Sequence, residues 1–251
     1  MPVAVVIPLE IPKARELPEY AGRALHALFY QWLAIGDYSL SLQVHDHQGI
    51  CPFTVSPILR KAQDWKVRFT VLKDDLWPAL KTGIESTARV ELLRQPINVK
   101  TNRLGVSQRT YSEILTTAKP VQSMKFKFHS PTSFRSRGMH VPLPEPRRAF
   151  QSWLLRWNEF APPEDRIDMS VLDLVENHVA VSAYNLHTRV ADLGSNRKII
   201  GFFGQVTFTV PETGAIAATS LRALDALADY AQFCGTGHKT TQGLGLTERI
   251  R

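Results

Sequence analysis

Several common features are scarce or missing in this chain, and each absence removes a class of function. There are two cysteines, Cys51 and Cys234, too few for a disulfide framework or a cysteine-built zinc site. No apolar run approaches the length of a membrane span. The opening residues Met1 to Pro8 lack a basic flank and are too short for a signal peptide, so a cytoplasmic protein with no membrane partner is expected. No Gly-x-Ser-x-Gly elbow marks a serine hydrolase. His45-Asp46-His47 is the obvious histidine cluster, but no further His, Cys, Asp or Glu has recognisable ligand spacing. Neither a metal nor another cofactor is expected.

Acidic residues are missing in one place above all. From Ile114 to Pro144 there is no Asp or Glu, while Lys119, Lys125, Lys127, His129, Arg135, Arg137 and His140 all fall there. Together with a net charge of +7 and a pI near 9.5, this favours a polyanionic partner such as nucleic acid. A solvated basic face is the plainer alternative.

Glycine is sparse except near the C-terminus. Four of the 14 glycines, Gly235, Gly237, Gly243 and Gly245, fall within eleven residues. His238, Lys239, Thr240, Thr241 and Gln242 lie between them, with no acid. Glycine allows positive φ and close approach of another molecule to the main chain. A loop rich in glycine and donors can therefore cradle a phosphate. It is not a Walker loop: Gln232 stands where the first glycine would be, and His238 separates Gly237 from Lys239. A mobile loop after a glycine helix stop at Gly235 is the alternative.

The remaining residues suit one large domain or two small ones, with 44% hydrophobic and 21% charged positions. Val3 to Leu9 predicts a strand. Ala21, Leu25, Leu28, Phe29, Trp32 and Leu33 predict an amphipathic helix ended by Gly36-Asp37. Tyr38 to His47 has two readings: alternation of Leu40, Leu42 and Val44 suggests a strand, whereas Asp37 could cap a short helix. Cys51 to Ile58 and Trp65 to Leu72 predict strands joined by a basic Arg60-Lys61 connection. A helix through Leu76 and Leu80 and a strand over Ala88 to Leu93 follow. With the ambiguous stretch as a connector, the order is β-α-β-β-α-β. After a boundary near Pro120 the pattern repeats. Val121 to His129 alternates Met124, Phe126 and Phe128 with Lys125, Lys127 and His129. A proline-rich loop, a helix over Ala149 to Phe160, strands over Val179 to Tyr184 and Ile199 to Val210, and a helix over Ser220 to Phe233 complete it.

Three stretches resemble one known family. They are Leu25-His26-Ala27-Leu28-Phe29-Tyr30-Gln31-Trp32-Leu33 with Val44-His45-Asp46 and Pro52-Phe53-Thr54-Val55-Ser56; His129 to Arg135 with Pro142 to Pro146 and Arg156-Trp157-Asn158; and the terminal glycine loop. Together they resemble the CRISPR-associated endoribonucleases that process repeat RNA, the Cas-six family of bacteria and archaea. The resemblance implies an α+β fold of two tandem ferredoxin-like, RRM-like βαββαβ domains with a C-terminal glycine-rich loop. Residues 1–118 would carry the catalytic His, and residues 119–251 the basic face and the glycine loop. It also implies that Tyr38 to His47 is helical, and that the chain cleaves precursor CRISPR RNA within the repeat without metal. The family's catalytic His falls on His45 and its partner Tyr on Tyr30, with His47 the alternative to His45. Some relatives place a Lys where this chain has Cys51, which leaves the third catalytic role to Lys239, to Arg60 or to no residue. RNA contacts are expected from Gly235, Gly237, His238, Lys239, Gly243, Gly245, Lys125, Lys127, Arg135 and Arg137. A non-cleaving repeat-RNA-binding subunit is the alternative reading. A CRISPR interference complex and a second copy of the chain stand as further partners that the residues do not select. His26, His140, His178 and His187 read as structural or surface residues.

Overall fold

The computed structural model describes residues 1–11, 17–18, 21–61, 64–194, 197–214 and 216–251. The first strand, β1 (Val3–Glu10), is buried along most of its length and forms the centre of the first sheet. Helix α1 (Gly22–Gly36) buries Leu25, Leu28, Phe29, Trp32 and Leu33, the stripe that three- and four-residue spacing puts on one face. Asp37 then acts twice. Its extended backbone closes α1 through an N–H to Leu33 O bond of 2.7 Å, and its carboxylate accepts from Leu40 N at 2.9 Å to open α2 (Tyr38–Asp46). A strand would have put Leu40, Leu42 and Val44 on one face. The helix instead buries Val44 and leaves Leu42 47% exposed, so the cap outweighs the alternation.

Strands β2 (Phe53–Val55), β3 (Leu59–Lys61) and β4 (Asp64–Val71) precede α3 (Leu76–Glu85). The basic connection expected between two strands is thus itself a strand, paired with β4. Strands β5 (Arg89–Leu92), β6 (Gln95–Val99) and β7 (Gly105–Gln108) and helix α4 (Tyr111–Thr117) follow. The sheet runs β2-β4-β1-β6-β5, with β3 on β4 and β7 on β1, and Val5 lies opposite Phe69 and Val106. Every pairing in it is antiparallel.

The second unit begins with β8 (Ser123–Thr132). Met124, Phe126 and Phe128 are buried, whereas Lys125 and His129 are exposed and Lys127 is half-buried. A hairpin, β9 (Phe134–Ser136) and β10 (Met139–Val141), occupies the start of the proline-rich loop and turns through Arg137 and Gly138, both at positive φ. Helices α5 (Pro146–Phe160) and α6 (Val171–His178), the long strands β11 (Ala180–Asp192) and β12 (Lys198–Thr209), helix α7 (Ala218–Cys234) and strand β13 (Thr247–Ile250) complete the chain. Sheet order is β11-β12-β8-β13, so the last strand returns beside the first and closes a second βαββαβ unit. Both units are ferredoxin-like.

Each unit has its own aromatic core. Phe29 stacks on Phe53 at 3.7 Å in the first, and Phe126, Phe150, Trp153 and Trp157 are fully buried in the second. Side chains of this size stabilise by roughly 1.5–3 kcal/mol each on burial. The units are also joined. Tyr111 and Ile114 of α4 enter the second core together with Ala4 and Leu72. Tyr111 donates to Leu72 O at 2.9 Å, and Thr54 donates to Phe233 O at 3.2 Å. Among the described residues, no helix is long and apolar enough to cross a membrane.

Candidate active site

The glycine loop connects α7 to β13 and runs along the junction of the two units. Gly235 ends α7 at φ 65°, its N–H bonded to Ala231 O. The neck of the loop is closed by Thr236 N donating to Gly245 O at 2.9 Å. Thr236 is fully buried; its hydroxyl accepts the Trp153 indole N–H at 2.9 Å and meets the Thr247 hydroxyl at 2.7 Å. Gly237 and Gly245 have no room for a side chain. An added Cβ would lie 2.4 Å from Ser133 O at the first and 2.1 Å from Thr236 O at the second, and both have positive φ.

Both units hold this loop. Arg156 of α5 donates to Gly237 O at 2.8 Å, and His26 of α1 donates from Nδ1 to Thr241 O at 3.2 Å. It is therefore not a loose tail. The N–H groups of Gly235, Thr236, Gly237, His238, Gln242, Leu244 and Gly245 are bonded within the protein. Among the described residues those of Lys239, Thr240, Thr241 and Gly243 have no bonded partner, and the first three are consecutive, an arrangement suited to an anion. Lys239 itself is held left-handed at φ 60°.

From Thr241 a line of rings leads to the predicted imidazole. His26 lies edge-on to Tyr30 at 5.2 Å, the i,i+4 neighbours on the rim of α1, and Tyr30 lies edge-on to His45 at 5.4 Å. His45 sits in the last turn of α2, 69% exposed, with Nδ1 3.2 Å from the Asp46 carboxylate. His47 turns elsewhere, with Nε2 4.0 Å from Glu159 on α5. The geometry thus brings His45 to Tyr30 and places His47 against the second unit.

The surroundings set the protonation of the buried groups. Burial pushes the Tyr30 hydroxyl up to about 12, with a smaller push from neighbouring Cys51, so Tyr30 is a neutral hydrogen-bond donor. Burial lowers His26; its bond to Thr241 opposes this, and the charges of Lys239 and His45 add to it. Burial raises the Cys51 thiol, against the pull of Arg156 and Lys239. The charge of Lys239 is thus felt at both His26 and Cys51. His238 falls to about 4, through burial first and then the charges of Lys239 and Arg135, and it stands 5.9 Å ring to ring from His140.

The other predicted contacts are spread more widely. Arg135 lies on β9 close to the loop, and Arg137 lies at the hairpin tip. Lys125 and Lys127 occupy the open face of the second sheet, opposite the face on which Phe126 meets Trp153 of α5. Arg60 packs over the Trp65 ring at 4.8 Å, on the β3–β4 hairpin. His26, expected to be structural or surface, and Arg156, which lies within a resembling stretch, both stand at the site; their partners lie 215 and 81 residues away, so the local sequence does not assign them this role. Among the described residues, no three His, Cys, Asp or Glu side chains form a metal-binding group.

Two ferredoxin-like units in tandem, with a closed glycine loop between their helical rims, define the structural class. Residues 1–119 match the family described as the CRISPR Cas6 N-terminal domain, and residues 126–247 match CRISPR-associated endoribonuclease Cas6. The chain belongs to the Cas6 family. It is 30% identical to a Streptococcus thermophilus protein named CRISPR-associated endoribonuclease Cas6 over 119 residues, which are 47% of this chain and 46% of that protein. Identity to a protein of the same name from Mycobacterium tuberculosis is 27% over 135 residues, 54% of this chain and 41% of the other. The matched stretch thus spans less than half the length of these curated relatives. Among solved structures, one Cas6 product complex superposes with a TM-score of 0.83 at 26% identity over the whole of both chains. The Thermus thermophilus Cas6 superposes with a TM-score of 0.74 at 25% identity, over 100% of this chain and 98% of the other.

Proposed function

We propose that this protein is an endoribonuclease that cleaves CRISPR repeat RNA without metal, and that the unit formed by residues 1–118 carries the proton-transfer groups. One observation carries the reading: Tyr30 and His45 are in ring contact on the same rim that holds the glycine loop and its Lys239.

RNA brings its own nucleophile, the ribose 2′-OH beside the scissile phosphate. The protein has to align it, move its proton and stabilise the charge that develops on phosphorus. His45, open to solvent and oriented by Asp46, is the proton carrier; imidazole suits this work at neutral pH. Tyr30, kept neutral by burial, donates a hydrogen bond to the reacting phosphate. Lys239 supplies the cation that the resemblance assigns, in some relatives, to a lysine at the position of Cys51. Attack closes a 2′,3′-cyclic phosphate and releases a 5′-hydroxyl. Positioning by the glycine loop, Arg135 and Arg137 provides much of the acceleration, while the Lys125–Lys127 face adds affinity for the phosphates.

Cleavage is expected to persist in EDTA and to stop when the attacking ribose is replaced by a deoxyribose; dependence on a divalent cation would overturn the reading. Cys51 favours one second reading, a repeat-RNA-binding subunit that does not cut, because its thiol cannot serve as a fixed cation. Wild-type protein that binds repeat RNA and leaves it intact would establish that alternative.

A further inference from the structure

Helix α5 has a second side that the reaction above does not use. Its buried face is Ala149, Phe150, Trp153, Leu154 and Trp157. At three- and four-residue steps, the other face gathers Arg148, Gln151, Ser152, Leu155 and Arg156. This rim, the β9 residues Phe134 and Arg135, the loop residues Gly237 and His238, and Ile50 enclose a cavity of about 290 Å³. That lies just under the usual range for small-molecule pockets and suits a single flat ring system. Ile50 directly precedes Cys51, and His238 directly precedes Lys239. Two of its lining residues are therefore covalent neighbours of Cys51 and Lys239.

We propose that this cavity is a base-binding subsite that takes a guanine of the RNA next to the cleaved linkage; the inference rests on the ribonuclease reading above. Its lining is rich in donors and contains no carboxylate. Arg156 has both terminal nitrogens on main-chain oxygens, Ser152 O and Gly237 O, and so forms a fixed charged wall. Arg148 holds Glu145 through Nε alone, and among the described residues its two terminal nitrogens have no bonded partner. Such a fork matches the paired acceptors O6 and N7 of guanine, an edge that neither pyrimidine has. Adenine pairs one acceptor with a donor and would depend on the Gln151 amide, a single carbonyl among three guanidinium groups. Phe134, Ile50 and Leu155, the last 42% exposed on an otherwise polar rim, give the ring apolar surface that a bare phosphate would not need. An unstacked base turned into such a slot is the usual way single-stranded RNA is read.

The test uses the full chain at low salt, with GMP, AMP, CMP, UMP and inorganic phosphate as probes in equilibrium dialysis. GMP is expected to bind at least ~10-fold more tightly than CMP or UMP. Arg148→Ala should remove that preference, and Leu155→Trp should block the slot. His45→Ala should leave GMP binding unchanged, which separates this site from the chemistry. Equal binding of the four nucleotides, or displacement of GMP by an equal concentration of phosphate, would overturn the proposal. Loss of guanine preference with RNA cleavage intact counts against the pocket alone. Preference intact in a protein that never cleaves RNA counts against the nuclease reading alone.

Discussion

Helices α1 and α5 are the first helices of the two units, and each is 15 residues long. Each lays an apolar face with tryptophan at its centre on its own sheet, and each turns a polar rim toward the same glycine loop. The rims differ in chemistry. That of α1 carries His26 and Tyr30, groups able to share or move protons; that of α5 carries Arg148 and Arg156, which hold a permanent charge. The short helices that follow extend the contrast. α2 ends beside Tyr30 with His45 in its last turn, whereas α6 ends in an exposed His178. On the proposed reading the doubled fold divides its labour: one copy handles protons, the other grips the RNA with fixed charge, and the loop meets both.

If this division is right, the two histidines at equivalent helix ends should behave oppositely. His45→Ala should slow single-turnover cleavage by about 10²–10⁴-fold with RNA affinity nearly intact. His47→Ala and His178→Ala should leave the rate unchanged; a large loss from His47→Ala would move the proton carrier to that residue. Tyr30→Phe should cost about 10²-fold, the effect of removing one donor to developing charge.

The second unit should show its own vulnerability in acid. Asp229 on α7 accepts from Arg249 and from Arg251, each at 2.5 Å, and from Arg109 at 3.2 Å, with its side chain 6% exposed. Burial alone would raise its carboxyl, but Arg251 and Arg249 hold it below the usual range. A carboxylate depressed in the folded state stabilises fully above its unfolded value near 3.9, and that stability is lost as the pH falls through the lower folded value. Asp229→Ala should therefore cost about 3 kcal/mol at neutral pH in denaturant titrations, with the difference from wild type narrowing in acid.

Gly237→Ala tests the shared loop. The new methyl would meet Ser133 O, and the backbone there is left-handed. A loss of about 2 kcal/mol in thermal unfolding is expected, with weaker RNA binding as the loop moves off Arg156. The smallest effect belongs to the open sheet face. Lys125→Ala or Lys127→Ala should each flatten the salt dependence of RNA affinity by roughly one unit of slope without changing the saturated cleavage rate. An unchanged slope would confine the RNA to the helical side.

Strongly periodic elements could be read from the residues alone. α1, α5, α7 and β8 each carry a stripe that only one secondary structure can bury. Short elements could not. β6 contains Pro96, β7 is exposed throughout, and α4 and α6 span two turns each, so their order comes from tertiary pairing rather than local pattern. At the candidate site, His45 and Tyr30 rest on family resemblance, since spacing alone does not separate His45 from His47. The part His26 plays in holding the loop is not legible locally, because it depends on a carbonyl 215 residues away.

The position of the glycine loop has a consequence for biosynthesis. The imidazole and phenol are made early, at positions 45 and 30, but the lysine and the four glycines of the loop appear only after position 234. On the proposed reading, a chain made only as far as α7 should therefore lack a working centre.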